Sequence, residues 1–256
     1  MNFFFLVLAR DERHVAEKIK ELESHEISYL IVCGKPIDHP NVLYREARGK
    51  YDAINFGARF VPKSVDVVVL NDVDTSIHNI QAALGCFESN ECALVYARVV
   101  VKGGPQTQFY IILDFIRRQI PIAASGELML INRGILGEIL PMKPCKAEDS
   151  FILFKVLEMK QKAIFCEECY VETERTKAAE KEVLYKRKTV VGLYQALSYS
   201  KPPLIIRVFF FFLPLVSPLL LVLGKKGYFW MKGILLGLSD YLRGDKTGSW
   251  QTTYMN

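Results

Sequence analysis

The chain has 256 residues, a formal net charge of +5 and a hydrophobic share of 50%. This length is enough for one well-packed core with a small appendage. Positive and negative residues are mixed along most of the chain, which argues against a nucleic-acid-binding protein. Six cysteines lack the spacing of a disulfide framework, and no signal peptide is recognisable, so we expect reduced thiols in a cytosolic compartment.

The first hundred residues alternate short apolar runs with amphipathic stretches. The apolar runs predict strands over residues 3–8, 28–33 and 65–70. Helical spacing of apolar residues predicts helices over residues 15–22 and 49–60. This alternation of strand and helix predicts an α/β domain with a largely parallel sheet.

The pattern continues with longer connections as far as residue 174. Strands are predicted over residues 93–101, 122–131 and 163–165, and helices over 109–118 and 151–159. The lone pair Cys166-x-x-Cys169 leaves zinc binding open, although core or loop cysteines are the more typical outcome. Residues 175–199 predict a long amphipathic helix that leads into the next segment.

Residues 204–223 form an apolar segment about as long as a bilayer span. Pro214 and Pro218 interrupt it, and each removes a backbone hydrogen bond. Basic residues lie on both sides of the segment, which favours a hairpin that keeps both ends on the cytoplasmic side over one straight span. A two-pass arrangement is the second option. Residues 227–242 have the composition of an interfacial helix that lies among lipid headgroups.

An acidic motif, Asn71-Asp72-Val73-Asp74, follows directly after the apolar run 65–70. Ligands of open α/β sheets bind at the carboxyl ends of strands, so these two carboxylates are well placed for binding. Oxygen ligands suit Mg²⁺ or Mn²⁺, which keeps part of its coordination for substrate phosphates. Aspartate also favours turns, so the motif alone is a weak signal.

Four further motifs accompany this acidic pair. They are Ala9-Arg10-Asp11-Glu12, Gly49-Lys50-x-x-Ala53-x-Asn55-x-Gly57, Gly126-Glu127-Leu128-Met129 and Glu148-Asp149. Lysine is a compact cation that suits phosphate. Acidic residues in a first helical turn are also an ordinary capping choice, which is the structural alternative for Glu148 and Asp149.

The order and spacing of these five motifs resemble the family 2 glycosyltransferases, an inverting group that includes dolichyl-phosphate sugar synthases and cellulose and hyaluronan synthases. The resemblance covers about residues 4–200. It implies an α/β GT-A nucleotide-diphospho-sugar transferase fold, with a Rossmann-like mixed sheet and a C-terminal membrane-associated helical segment. We therefore expect a catalytic domain over residues 1–200 and a membrane-anchoring region over 201–256, attached to the cytoplasmic face of the cell membrane through about 204–242.

The resemblance also implies a reaction and a role for each motif. A divalent cation, Mg²⁺ or Mn²⁺, would be held by Asp72 and Asp74 while one sugar moves from a nucleotide-sugar donor to a membrane-linked acceptor. That acceptor would be a lipid phosphate or a lipid-linked glycan, and Asp149 would be the catalytic base. Gly126, Glu127 and Glu148 would border the acceptor and sugar pocket. The implied nucleotide-sugar-binding residues are Ala9, Arg10, Glu12, Lys50, Asn55, Asp72, Lys186 and Lys188.

Two motifs depart from the family pattern. Processive members carry Gln-x-x-Arg-Trp where this chain has residues 185–189, so the aromatic platform for a growing glycan is missing. The charge of Lys186 and Lys188 would suit a nucleotide diphosphate or a lipid phosphate, and a solvated basic face is equally compatible. After the second strand, Cys33-Gly34-Lys35 replaces an acidic pair that grips the base; Asp38 is a candidate substitute, and the base stays open.

Three alternative functions follow from the same residues. A processive polysaccharide synthase is disfavoured by the missing Gln-x-x-Arg-Trp motif and by the single apolar segment. A nucleotidyltransferase would typically carry a glycine-rich phosphate loop near the first strand, and residues 8–15 contain no glycine. A non-catalytic membrane scaffold would bind neither a metal nor a nucleotide sugar.

Overall fold

The computed structural model describes residues 1–104, 106–174, 178 and 181–244. Its strands are β1 (Phe3–Ala9), β2 (Tyr29–Cys33), β3 (Val42–Tyr44), β4 (Val67–Asp72), β5 (Thr75–His78), β6 (Leu94–Val101), β7 (Leu128–Asn132) and β8 (Ala163–Thr173). Its α-helices are α1 (Val15–Ser24), α2 (Lys50–Gly57), α3 (Ile80–Ser89), α4 (Gln106–Arg117), α5 (Arg133–Ile139), α6 (Glu148–Glu158), α7 (Lys181–Tyr199), α8 (Leu204–Val216) and α9 (Lys225–Leu242). Two 3-10 helices span Ala58–Phe60 and Ser217–Leu223.

The eight described strands form one mixed sheet in the order β3-β2-β1-β4-β7-β6-β8-β5. Strands β3, β2, β1 and β4 run parallel, whereas β7 is antiparallel to both of its neighbours. The register pairs Leu8 with Asp72 and Ala9 with Cys33, so the carboxyl ends of β1, β2 and β4 lie at the same edge of the sheet. The loops that follow these strands therefore meet at that edge.

Alternation of side chains along the strands divides the core between the two faces of the sheet. On β1, Leu6 and Leu8 point to one face, which α2, α5, α6, α7 and α8 cover. Phe5 and Val7 point to the other face, which α1, α3 and α4 cover. Because nearly all of β1 is buried, it is apolar throughout instead of alternating with polar residues.

The strand predicted over residues 122–131 is present only in its second half. The residues before Leu128 do not pair with a neighbouring strand, because their carbonyl oxygens accept hydrogen bonds from other groups. The guanidinium of Arg117 donates hydrogen bonds to the carbonyl oxygens of Ala123 and Ala124, at 2.8 and 2.9 Å. The apolar run predicted a strand in this part of the chain, but hydrogen bonds from an arginine of α4 hold the backbone in another conformation.

The strand predicted over residues 163–165 is instead eleven residues long. Its register against β6 shifts between the pairs Ala97–Cys166 and Arg98–Tyr170, so residues 167–169 bulge out of the ladder. Cys166 and Cys169 are both buried at this bulge. Of the helix predicted over residues 175–199, residues 175–177, 179 and 180 lie outside the described part of the chain.

The C-terminal region folds back on itself. The 3-10 helix Ser217–Leu223 continues α8, and Gly224, with a φ of 65°, reverses the chain after both prolines. Helix α9 then returns along the 3-10 helix, so closely that a Cβ at Gly227 would stand 1.6 Å from the carbonyl oxygen of Leu220. Residues 245–256 of the predicted membrane region lie outside the residues that the structure describes.

Within the described residues, one helical segment is long and apolar enough to cross a membrane: Leu204–Leu223, with a mean hydropathy of 2.4. Helix α9, which follows this segment, buries its tryptophan against the rest of the protein. Trp230 is fully buried, and its indole N–H donates a hydrogen bond to the carboxylate of Glu182 at 3.2 Å. This tryptophan is therefore part of the protein interior and not of a lipid-facing surface.

Candidate active site

A cleft opens at the carboxyl ends of β1 and β4, at the edge where the sheet register brings their loops together. Its walls come from the loop after β1, the start of α2, the acidic loop after β4, the start of α6 and one side of α7. The predicted site residues that line it are Ala9, Arg10, Lys50, Asp72, Asp74, Gly126, Glu127, Glu148 and Asp149. Residues far apart in the sequence thus surround one space.

The loop that carries the acidic pair is held by hydrogen bonds from all sides. The Asn71 amide donates to the Thr75 hydroxyl at 2.9 Å and to the carbonyl of Glu127 at 2.7 Å. The Thr75 hydroxyl in turn donates to the carbonyl of Asp72 at 2.8 Å. The ammonium of the buried Lys18 donates to the carbonyl of Thr75. This network fixes the direction in which the carboxylate of Asp72 leaves the strand.

Lys50 lies between two buried carboxylates at the floor of the cleft. Gly49 has a φ of 131°, a conformation that favours glycine, and it leads the chain into the first turn of α2, where Lys50 lies. The Lys50 ammonium forms an ion pair with Asp72, and its Nζ lies 3.7 Å from Glu148 Oε1. Burial alone lowers the pKa of Lys50, but these carboxylates outweigh it and raise the pKa well above its usual range. Lys50 is therefore a permanent cation.

The carboxylates beside Lys50 are harder to ionise than ordinary ones. Burial raises the pKa of Asp72 to about 6; Lys50 opposes this shift, while Asp74 and Glu127 add to it. Burial also raises the pKa of Glu148, again against the effect of Lys50. More carboxylates therefore surround Lys50 than this one lysine neutralises, which favours the binding of a further cation beside them.

The oxygens of Asp72 fit a cation. Its Oδ1 is buried, and among the described residues no group donates a hydrogen bond to it. Asp74 lines the same cleft two residues later. The described residues contain no cluster of three or more His, Cys, Asp or Glu side chains suited to a metal ion. Two carboxylates and substrate oxygens are the usual environment of Mg²⁺ in phosphate-binding sites.

Asp149 lies directly against Gly126 in the lining of the cleft. A Cβ at position 126 would stand 3.2 Å from both Cβ and Oδ2 of Asp149, so any side chain there would crowd the carboxylate. The backbone N–H of Ser150 donates to Asp149 Oδ1 at 2.6 Å. Burial raises the pKa of Asp149, and this hydrogen bond opposes the shift. The other oxygen, Oδ2, lies on the side of Gly126, and both residues line the cleft.

Positive charge gathers on a second wall of the cleft. Arg10 and Lys146 line the cleft, and Lys188 lies one residue from Thr189, which also lines it. Burial lowers the pKa of Lys188, and the charges of Lys146 and Arg10 lower it further. Cations that lie this close together suit an anionic ligand. Lys146 was not predicted from the sequence, because one lysine before a helix forms no motif.

Comparisons with known proteins identify the fold. No protein-family model matches the chain, and no curated protein matches it. A mannosyltransferase from Pyrobaculum calidifontis, in complex with GDP-Man and Mn²⁺, superposes with a TM-score of 0.69 at 16% identity, covering 94% of this chain and 87% of that one. GalNAc-T7 with UDP, GalNAc and Mn²⁺ superposes with a TM-score of 0.57 at 11% identity, covering 95% and 57%.

The chain has the GT-A fold. This confirms the predicted fold class, an α/β GT-A fold with a Rossmann-like mixed sheet. The cleft of this GT-A fold lies at the carboxyl ends of the parallel strands, where open α/β sheets bind their ligands. The comparisons show the fold, and the chemistry of the cleft depends on its own residues.

Some predicted residues lie away from the cleft of this GT-A fold. Glu12 is exposed, and it is Asp11, ion-paired to Arg13 at 2.8 Å, that lines the cleft. Asn55 is occupied elsewhere: its amide N–H donates to the carbonyl of Met142 at 3.0 Å, and its oxygen accepts from the Met142 N–H at 2.7 Å. The prediction that Glu12 and Asn55 bind the nucleotide sugar therefore gains no support from their positions.

Lys186 is also absent from the cleft wall. It is 3% exposed, and its ammonium lies 3.0 Å from the centroid of the Phe109 ring, near Trp230. Positions 185 and 189, one residue before it and three after it, face the cleft instead. The lysine therefore packs between α4, α7 and α9. The sequence of residues 186–188 did not indicate which lysine lies on the side of α7 that borders the cleft.

The far end of the cleft is lined by a loop that the sequence did not indicate. Arg45, Glu46 and Ala47 follow β3 and line the cleft next to Gly34. The guanidinium of Arg45 is fixed by a bidentate pair with Asp52, at 2.8 and 2.9 Å. The candidate substitute Asp38 is exposed and lies outside this lining. A short strand of three residues gives too little pattern to predict, so this wall was missed.

Proposed function

We propose that this protein is a metal-dependent inverting glycosyltransferase, similar to family 2, that moves one sugar from a nucleotide-sugar donor to a membrane-linked acceptor. The observation that carries the proposal is the convergence of Lys50, Asp72, Asp74 and Asp149 on one cleft of a GT-A fold. Two solved structures with this fold contain a nucleotide or nucleotide sugar together with Mn²⁺.

Asp72 and Asp74 would hold a divalent cation, Mg²⁺ or Mn²⁺. The free Oδ1 of Asp72 supports this assignment, because among the described groups it has no hydrogen-bond donor to replace. When bound, such a cation neutralises the charge that develops on a leaving diphosphate. Lys50 would add a fixed positive charge at the same place. Its ammonium is paired with Asp72, beside the carboxylates that would hold the cation.

Arg10, Lys146 and Lys188 would bind phosphate on the opposite wall. The closeness of these three cations supports this role, since a phosphate would accept charge-assisted hydrogen bonds from them. The cleft therefore offers two positive regions, one at Lys50 and one at this wall. A donor diphosphate and an acceptor phosphate are the two anions that a transfer to a lipid phosphate requires.

Asp149 would accept the proton of an acceptor hydroxyl as that hydroxyl attacks the anomeric carbon. Its raised pKa supports this role, because a carboxylate that is hard to ionise is a stronger base. Attack from the face opposite the leaving diphosphate inverts the anomeric centre. A lipid phosphate acceptor is already ionised, and with such an acceptor Asp149 would position the nucleophile and matter less as a base.

The acceptor is proposed to be membrane-linked because an apolar segment is attached directly to the domain that forms the cleft. Leu204–Leu223 is the described segment with the length and composition of a membrane-associating helix. We propose attachment to the cytoplasmic face of the cell membrane through the region of about residues 204–242, in which Leu204–Leu223 supplies the surface that contacts lipid. A lipid phosphate and a lipid-linked glycan are both compatible with this attachment.

Calorimetry with a panel of nucleotide sugars tests the donor side of the proposal. Wild-type protein in detergent is expected to bind one donor only when Mn²⁺ or Mg²⁺ is present. Addition of the cation is expected to give Asp72→Asn no gain in donor affinity. The matched control is Asp66→Asn, because the Asp66 carboxylate accepts a hydrogen bond from the backbone N–H of Asn2, far from the cleft. Titrations of this variant should resemble those of wild type. Absence of binding for every donor would overturn the proposal. Product analysis with a lipid extract then identifies the acceptor.

A further inference from the structure

The apolar segment Leu204–Leu223 has two different sides. Ile206, Phe210 and Ser217 are buried against the rest of the protein, and the Tyr194 hydroxyl donates to the carbonyl of Phe210 at 2.8 Å. The opposite side carries an unbroken row of apolar side chains, each between 42% and 86% exposed. We define this row as the apolar face: Leu204, Val208, Phe211, Leu215, Leu219 and Val222.

Basic residues outnumber acidic ones in the region that carries the apolar face. Residues 201–244 contain six lysines and arginines and a single acidic residue, Asp240. That aspartate pairs with Arg187 at 2.8 Å and leaves the excess of positive charge in place. Lys201, Arg207, Lys232 and Arg243 are exposed. An apolar surface in a region with an excess of exposed positive charge is complementary to a bilayer that contains anionic lipids.

The chain returns to its own domain after the apolar face. Helix α9 packs along α7, and glycines make the contact close: a Cβ at Gly233 would stand 2.6 Å from the Cβ of Lys186, and one at Gly237 would stand 2.6 Å from the carbonyl oxygen of Arg187. The Arg187–Asp240 ion pair fixes the far end of α9. Both ends of the apolar segment are therefore attached to the same body.

We propose that the apolar face docks on anionic bilayers from one side and that the chain does not cross the membrane. A crossing would carry α9 to the side opposite α7, and it would break the glycine contacts and the Arg187–Asp240 pair. It would also move the buried Trp230, together with its hydrogen bond to Glu182, out of the protein interior. One-sided docking preserves all of these contacts and places only the exposed row in lipid.

This geometry also relates the membrane to the cleft. Tyr185 and Thr189 line the cleft, and the same helix ends at Tyr199, shortly before Leu204 begins the apolar face. At 1.5 Å per residue, Tyr185 and Tyr199 are about 20 Å apart along α7. A membrane-linked acceptor would thus reach the cleft along α7. This last step rests on the proposed function, whereas docking itself does not.

Vesicle flotation of the full chain tests the docking surface. Wild-type protein should float with vesicles that contain phosphatidylglycerol and bind phosphatidylcholine vesicles less. The double variant Phe211→Glu, Leu215→Glu should lose binding by about tenfold or more, because two exposed anchors become charged. The matched control is Ile111→Glu, Phe115→Glu, an equally exposed pair with the same spacing on α4. Circular dichroism and nucleotide-sugar binding in detergent establish that each variant is folded.

Membrane vesicles of both orientations test the topology. Protease-cleavable tags at the two termini should be cut in inside-out vesicles and protected in right-side-out vesicles. Opposite protection of the two tags would overturn one-sided docking. Equal loss of flotation in the α4 control, or no flotation of wild type, would overturn the assignment of the surface. Lost donor binding with intact flotation would count against the proposed function and leave the docking inference standing.

Discussion

At the scale of single residues, Asp149 offers the sharpest test of chemistry in the cleft. Its carboxylate is buried beside Gly126 and has a raised pKa. We predict that Asp149→Asn lowers the rate of sugar transfer to a hydroxyl acceptor by about 10²–10⁴-fold, the usual contribution of a general base. Binding of the nucleotide sugar with Mn²⁺ should stay nearly unchanged, because the carboxamide keeps the shape of the side chain. Single-turnover assays and calorimetry measure the two effects separately.

Glu158 provides the control for this variant. It lies at the other end of α6 and pairs with Lys155 at 2.7 Å, away from the cleft lining. Glu158→Gln should leave both the transfer rate and donor binding unchanged. Full transfer activity in Asp149→Asn would contradict the assignment of a base. Loss of donor binding in that variant would instead indicate that Asp149 helps to hold the sugar.

The raised pKa of Asp72 predicts that cation binding depends on pH. Its pKa in the cleft is about 6, and only the carboxylate form binds a divalent cation well. Above pH 6 most molecules carry this form, and below pH 6 the proton competes with the cation. We predict that the Kd for Mn²⁺, with a nucleotide sugar present, rises by about tenfold between pH 7 and pH 5. Asp72→Asn should bind Mn²⁺ weakly at both pH values; an equally steep pH dependence in that variant would contradict the role of Asp72.

The candidate site could be predicted from the sequence where a motif places several residues together. Asp72, Asp74, Glu148 and Asp149 belong to such motifs, and the structure brings them to one cleft. Lys146 and Glu46 could not be predicted, because their positions depend on how α6 and β3 pack and not on neighbouring residues. The sequence also did not indicate which side of α7 borders the cleft. Lys186 and Lys188 differ by two positions and so face different sides of this helix.

At the scale of elements, the contact between α7 and α9 depends on glycine. A Cβ at Gly237 would stand 2.6 Å from the Arg187 carbonyl oxygen and 2.7 Å from the Val190 Cβ. Alanine gains about 1 kcal/mol of helix propensity over glycine, but overpacking of this kind costs about 1–3 kcal/mol. We predict that Gly237→Ala lowers the free energy of unfolding, measured by denaturant titration.

The matched comparison is Gly85 in α3. A Cβ there meets no atom within 4 Å, so the propensity gain is unopposed. Gly85→Ala should raise the free energy of unfolding by up to about 1 kcal/mol. Two glycine-to-alanine changes in helix interiors are thus expected to have opposite signs. If Gly237→Ala stabilised the protein as much as Gly85→Ala, the close packing of α9 on α7 would be contradicted.

The elements most readily predicted were those whose core-facing residues repeat over several turns or several strand positions. The strands at the centre of the sheet and helices α1, α4 and α6 are of this kind. Strands β3 and β5 were missed because three or four residues carry little periodicity. The strand over residues 122–131 was overextended because apolar composition does not reveal that Arg117 binds the carbonyls of Ala123 and Ala124.

At the scale of the whole molecule, the C-terminal helices share a core with the sheet. Ile206 and Phe210 of α8 belong to the same cluster of buried side chains as Leu6 and Leu8 of β1. The ring of Phe210 packs edge-on against Phe154 of α6, with ring centroids 6.0 Å apart. We therefore expect the described C-terminal helices and the cleft to unfold in a single cooperative transition.

Adjacent phenylalanines allow this expectation to be tested without deleting the region. Phe210 is 2% exposed and Phe211 is 70% exposed. Phe210→Ala should lower the free energy of unfolding by about 3–5 kcal/mol, because it leaves a cavity against Phe154. Phe211→Ala should change it by less than about 0.5 kcal/mol in detergent, because most of its side chain is exposed. Thermal unfolding followed by circular dichroism, with nucleotide-sugar binding recorded in parallel, measures both. Loss of stability in Phe210→Ala must be accompanied by loss of donor binding at the same temperature; a cleft that keeps binding after the C-terminal helices have melted would show that they are a separate unit.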